Sequence, residues 1–215
     1  MISTNISNEE LNQNKYVCNL ENIKSKYILK QIFDNLQKIK ILIIAKYNKK
    51  IKNKLDLTIN DYKEYSEIEM EIIPVTNKYG KFIHINNEED ESYYHIYFNN
   101  NDEKIKRNYI KEDEEIKIIK IIIDYQIKSF KDLFENCECI ESIYFKKFYR
   151  KNIYNMSNMF FKCLSLKELN LNNFNTNNVI DMWFMFGECL DKLKLKIKSQ
   201  FKNLKELAFE EFIFI

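Results

Sequence analysis

The stretch from Met156 to Leu171 reads Met-Ser-Asn-Met-Phe-Phe-Lys-Cys-Leu-Ser-Leu-Lys-Glu-Leu-Asn-Leu. Its first half places Met156, Met159, Phe160 and Cys163 three and four residues apart, the spacing of one or two helical turns. Its second half, Leu166-Lys-Glu-Leu169-Asn-Leu171, ends in alternation, the mark of a short strand with its leucines inward. The whole pattern recurs 26 residues earlier and 26 later. Ile127, Ile153 and Val179 are in register, as are Phe130, Met156 and Met182. So are Leu133, Met159 and Met185, then Phe134, Phe160 and Phe186, then Cys137, Cys163 and Cys189. Ile143, Leu169 and Leu195 follow, then Phe145, Leu171 and Ile197. A period of this size indicates a stacked array, in which one unit cannot close a core and its neighbours complete it.

The expected fold class is therefore an α/β repeat. It is a short solenoid whose like strands run parallel about 4.8 Å apart, preceded by a small helical unit and a small β-sheet region. A displaced pattern, Leu204-Lys-Glu-Leu207-Ala-Phe209, reads as a degenerate fourth turn. Upstream, residues 1–21 are polar and irregular, a flexible leader. Residues 22–66 carry helical spacing, with Ile28, Leu29, Ile32, Phe33 and Leu36 on one stripe and Thr58 or Asn60 as a cap. Residues 67–125 switch to a period of two. Ile68, Met70 and Ile72 alternate with acids, and Pro74 ends or edges that strand. Phe82–Asn86 and Ser92–Phe98 read as a hairpin, with His84 and His95 opposite each other on its outer face beside Phe82 and Tyr97. Residues 115–124 read as a buried strand. The array then occupies 126–215, about four turns.

These residues carry a resemblance. Residues 156–179, with Met-x-x-Met-Phe-x-x-Cys-x-x-Leu followed by Leu-x-Leu-x-x-Phe-x-Thr-x-x-Val, are similar to the BspA-like leucine-rich repeats. The likeness is partial at 127–152, where Phe130 and Leu133 replace methionines and Arg150 replaces the threonine. It weakens past 190, where Lys192 replaces a leucine. It implies a non-catalytic recognition scaffold, in a family often found on the surfaces of bacteria and protists. Residues 27–55 also resemble an F-box, through Ile-Leu-Lys-Gln-Ile-Phe-Asp-Asn-Leu from Ile28 to Leu36, without the opening Leu-Pro and closing Trp. That likeness implies the alternative function, a substrate adaptor of a ubiquitin ligase.

Composition narrows the functions. The 215 residues include 2 Gly, 1 Pro, 2 His and 32 Lys against only Arg107 and Arg150. A glycine-cradled phosphate loop cannot be built from Gly80 and Gly187, and arginine readout of nucleic acid has little to use. Basic and acidic residues, 34 and 32, are mixed along the chain. No block of one sign points to nucleic acid or a membrane surface. No basic start precedes an apolar stretch, and no run approaches the roughly 20 residues of a membrane helix. The expected location is the cytoplasm. The five cysteines are expected as free thiols. Those at 137, 163 and 189 form a buried column rather than a zinc site, and Cys139, off the column, is the one expected at the surface. No cofactor or metal is expected. His84 and His95 are too few as ligands, and the acids from Glu88 to Glu91 lack calcium-loop spacing.

The expected activity is recognition of a protein partner, not catalysis. No nucleophile lies beside a base motif, and no carboxylate pair sits in an apolar setting. A pocket of convergent polar groups within 67–125 would revive an enzyme. The outward residues of the repeat strands are the candidate partner face: Ser142, Tyr144 and Lys146; Glu168, Asn170 and Asn172; Lys194 and Lys196; Glu206 and Glu210. Tyr144 and Trp183 are the aromatic anchor candidates, Trp183 on the helical side.

Overall fold

The computed structural model describes residues 20–200 apart from 21, 35, 172, 173, 175 and 177. The expected leader up to residue 19 and the expected fourth turn past 200 lie outside the described residues, as do Asn172, Glu206 and Glu210. The described chain divides after Tyr65 into two compact units.

The first unit is helical. Its helices are α1 (Lys26–Asp34), α2 (Lys38–Ala45), α3 (Lys49–Lys54) and α4 (Ile59–Ser66). Leu29 and Phe33, four apart on α1, meet Ala45 and Ile51 in a small apolar cluster. Side chains fix the helix starts. Asn48 Oδ1 accepts the Ile51 N–H at 3.0 Å and caps α3. At α4 the Asp61 carboxylate accepts from both the N–H and the hydroxyl of Thr58 at 2.8 Å, and the Asp61 N–H donates back to the hydroxyl at 3.4 Å. The Thr58 N–H, then Lys38 3.0 Å away, hold the Asp61 carboxyl down to about 2.

The second unit is built on a sheet. Its strands are β1 (Ile68–Pro74), β2 (Gly80–Lys81), β3 (Tyr94–Phe98), β4 (Tyr109–Ile110), β5 (Ile119–Ile123), β6 (Ile140–Lys147) and β7 (Glu168–Asn170). A 3₁₀ turn spans Glu88–Tyr93, and α5 spans Asp191–Gln200. Five strands form one sheet in the order β3-β5-β1-β6-β7, and β2 with β4 forms a small ribbon. Local alternation sets the buried face. Ile68, Met70 and Ile72 of β1 and Ile119, Ile121 and Ile123 of β5 are all fully buried, and the residues between them, Glu69, Glu71, Lys120 and Ile122, are half-buried on the other side. Pro74 closes β1 at a register shift, opposite Ile140.

This corrects the expected fold class. The chain is not a leucine-rich solenoid with parallel strands. Its sheet is mixed and mostly antiparallel: β1–β5, β1–β6 and β3–β5 are antiparallel, and β6–β7 alone in the sheet is parallel. Two physical causes stand out. First, β1 lies between β5 and β6, a long-range pairing that no local period announces. Second, the strand half of the repeat fades from eight residues in β6 to three in β7. In the third repeat it becomes a helix, α5, which buries Leu193 and Ile197, four apart, and leaves Leu195 exposed. Lys194 and Lys196, expected on a strand, are on this helix.

The expected helical halves are not helices either. Left-handed backbone occurs at Asp132, Asn158 and Phe184 and again at Asn136, Lys162 and Glu188, two sets each 26 apart. Two such residues four apart interrupt any α-helix. The segments are tight turns, hydrogen-bonded one to the next. Phe130, Asp132, Phe134 and Asn136 donate their N–H groups to the carbonyls of Asn155, Ser157, Met159 and Phe161 at 2.8–3.0 Å. Met156, Asn158, Phe160 and Lys162 donate likewise to Asp181, Trp183, Met185 and Gly187. The rings of Phe134, Phe160 and Phe186 stack at 5.5 and 5.4 Å with near-parallel planes. Cys163 and Cys189 donate their S–H groups to the carbonyls of Phe134 and Phe160 at 3.0 and 2.9 Å. The period of 26 thus orders turns beside the sheet, not a ring of parallel strands.

The expected hairpin is absent. β3 pairs with β5, and Phe82 and Ile83 are both fully buried. Residues 82–86 instead cover the first turn: the His84 N–H donates to Leu133 O at 2.8 Å, and Asn86 Nδ2 to Lys131 O at 3.1 Å. His84 and His95 are not partners. Cys139, expected at the surface, is buried, its thiol 3.1 Å from Lys81 O.

Candidate functional site

The polar side of the sheet follows from alternation and register together. One transverse row runs Tyr97, Lys120, Glu71, Tyr144, Asn170 across β3, β5, β1, β6 and β7. A second runs Ile73, Ser142, Glu168 across β1, β6 and β7. Ser142, Tyr144, Glu168 and Asn170 therefore share one surface, with Lys146 two residues along β6. Ser142 is small and buried between its neighbours, so it shapes the surface rather than projecting from it.

The charges on this surface are tied to one another. Lys120 Nζ is 2.9 Å from Glu69, and Lys146 Nζ is 2.7 Å from Glu71. The Tyr144 hydroxyl donates to Glu168 at 2.7 Å, and Lys196 Nζ lies 4.0 Å from the other oxygen of Glu168. Lys167 reaches Glu141 at 2.8 Å. Donating to Glu168 pushes the Tyr144 phenol up, and donating to Glu71 pushes the Lys146 ammonium up. Lys194 is turned away, 3.0 Å from Asp191 on its own helix. A groove of about 880 Å³ adjoins the surface, lined by Leu190 and Leu193 together with Glu141, Lys167, Glu168 and Lys196.

Glu69, Glu71, Lys120 and Tyr97 are members of this surface that the repeat pattern does not reveal. The alternation of Glu69 and Glu71 with buried residues marks them as outward. Only the antiparallel pairing of β1 with β6 brings them beside Tyr144. His95 is on this same side, two residues from Tyr97 on β3 and opposite Ile122, which in turn pairs with Glu69; His84 is not on the sheet. His95 Nε2 is 3.1 Å from Asp124, and its Nδ1 is 2.9 Å from Lys104 Nζ. An ammonium only donates, so Nδ1 accepts and Nε2 carries the proton toward Asp124. Among the described residues, no three His, Cys, Asp or Glu side chains converge to hold a metal. Cys137, Cys139, Cys163 and Cys189 are buried free thiols, and burial pushes Cys139 up to about 11 and Cys189 up to about 12. No helix among the described residues is long and apolar enough to cross a membrane.

Residues 123–208, which take in β6, β7, the stacked turns and α5, are similar to a family described as Mycoplasma protein of unknown function, DUF285. No curated protein and no solved structure matches the chain.

Proposed function

We propose that the chain is a non-catalytic protein-recognition module whose partner docks on the polar side of β1, β6 and β7, with Lys196 of α5 at the margin. The observation that supports this reading is the row from Tyr97 to Asn170, in which ion pairs and the Tyr144–Glu168 bond hold long side chains in one arrangement. A preorganised surface loses less side-chain entropy on binding. Tyr144, a rigid amphipathic ring, is the anchor. The likeness of residues 153–189 to BspA-like repeats favours recognition over catalysis. The buried free thiols favour the reducing cytoplasm.

The test is affinity capture from native lysate with the wild-type chain, Tyr144→Ala and Glu168→Lys, each checked for folding by circular dichroism. Proteins retained by the wild type and lost from both variants support the face. An identical retained set for all three removes it. The adaptor reading is the second proposal, supported by the apolar face of α1, where Tyr27, Ile28 and Ile32 are exposed. It requires the full chain to bind a ubiquitin-ligase linker protein and Ile28→Glu to abolish that binding.

A further inference from the structure

Lys120 and Lys146 of the sheet are paired with carboxylates, but three lysines on the stacked turns are not. Lys128 and Lys131 belong to the first turn, and Lys151 leads into the second. None of the three makes an ion pair among the described residues. Two carboxylates of the turns make other bonds: Asp132 accepts from Asn158 Nδ2 at 3.0 Å, and Asp181 accepts the Trp183 N–H at 3.0 Å.

The same flank exposes large apolar side chains. Tyr154, Ile180 and Trp183 are 50%, 79% and 51% exposed. Hydrogen bonds place them in adjacent layers. The Tyr154 N–H donates to Lys128 O at 3.0 Å, and the Ile180 N–H donates to Tyr154 O at 2.8 Å. Lys128, Tyr154 and Ile180 therefore form one outward column, each following a buried Ile127, Ile153 or Val179. Trp183 lies three residues on from Ile180, and Asn178 Nδ2 ties the third layer to Lys151 O at 2.6 Å. Tyr154 and Ile180, neighbours in the column headed by Lys128, and Trp183, three residues on, are large apolar side chains left in water near lysines without carboxylate partners, and such exposure marks a contact surface.

We propose that this flank, separate from the polar side of the sheet, docks an acidic protein segment that carries a large apolar side chain. The apolar residue covers Ile180 and Trp183, and its flanking carboxylates meet Lys128, Lys131 and Lys151. A protein segment suits the patch better than single-stranded nucleic acid. Ile180, its most exposed member, offers no flat face for a base. Both arginines are also engaged internally, Arg107 with Glu114 and Arg150 with Asn152 and Asp124 O.

Trp183 is the only tryptophan in the chain, so its emission reports this patch alone. A random dodecapeptide library is panned on the full chain, and the enriched peptides are titrated against Trp183 fluorescence. The expected peptides are net negative with a large apolar residue, and they shift the emission to the blue. Ile180→Ser, and Lys131→Glu combined with Lys151→Glu, each weaken binding at least tenfold. Lys106→Glu, an exposed lysine remote in sequence, changes it less than twofold. These substitutions are at exposed positions, so folding is retained. Enriched peptides without acidic bias, peptides that leave Trp183 emission unchanged, or equal losses in Lys106→Glu overturn the proposal. So does binding of a 20-nucleotide oligothymidylate, or concentration-dependent self-association, that Ile180→Ser abolishes while no acidic peptide binds.

Discussion

Phe160→Ala tests the stacked turns where they are most constrained. Phe160 is fully buried, with Phe134 5.5 Å away on one side and Phe186 5.4 Å away on the other. Truncating a buried phenylalanine costs about 3–5 kcal/mol. Two ring contacts vanish together, each worth about 0.5–1.5 kcal/mol beyond area. The cavity also cannot close easily, because Phe134 and Phe160 hold their neighbouring turns through 2.9 Å backbone bonds. The expected loss is therefore at the upper end, about 4–5 kcal/mol. For a unit spanning residues 66–215, at about 2–4 °C per kcal/mol, the melting temperature falls by roughly 10–15 °C. Guanidinium unfolding followed by circular dichroism measures it, with Tyr154→Ala, half exposed in the same turn, as the reference at under about 1 kcal/mol. A Phe160→Ala loss below about 2 kcal/mol, or one equal to that of Tyr154→Ala, refutes the stacking.

Three further outcomes follow from particular residues. Lys162 has a left-handed backbone where Asn136, its counterpart one repeat earlier, has the same conformation. Lys162→Asn is expected to stabilise by about 0.5–1 kcal/mol in the same unfolding assay, and a loss of stability contradicts the assignment. Asp61 is held down to about 2 in the folded chain against about 3.9 unfolded. Its contribution is therefore present above about pH 4 and is lost as pH falls toward 2. Carboxyl-carbon NMR is expected to place its midpoint near 2, and a midpoint near 3.9 refutes the Thr58–Asp61 closure. Thiols at 137, 139, 163 and 189 are expected to resist iodoacetamide at pH 8 until guanidinium unfolds the chain, because burial disfavours the reactive thiolate. Rapid native alkylation at Cys163, read by peptide mapping, contradicts the column.

Sequence revealed what depends on spacing. The alternation at Ile68, Met70 and Ile72 gave a strand, the run at 115–124 contained another, and the repeat placed the rings and thiols in their columns. It did not reveal what depends on distant partners. Nothing local in β1 says that β5 and β6 flank it, so the antiparallel sheet and the membership of Glu69, Glu71 and Lys120 in the polar surface were invisible. The spacing of Met156, Met159, Phe160 and Cys163 suits a helix and a chain of tight turns equally. Asn136 and Asn158 were the available hint, since Asn tolerates left-handed backbone, but Lys162, Phe184 and Glu188 adopt it against preference. At 193–197 the residues Leu-Lys-Leu-Lys-Ile satisfy a strand by alternation and a helix by the four-residue step from Leu193 to Ile197. The second prevails once only two of the three apolar residues are buried.

Residues 26 apart lie in hydrogen-bonded layers beside a mostly antiparallel sheet. Couplings transmitted through hydrogen bonds, recorded by NMR on the deuterated full chain, test this arrangement most directly. They are expected to connect the Phe134 nitrogen to the Met159 carbonyl carbon and the Phe160 nitrogen to that of Met185. Couplings confined to i-to-i−4 pairs across 156–163 would instead describe an ordinary helix and contradict the layered turns.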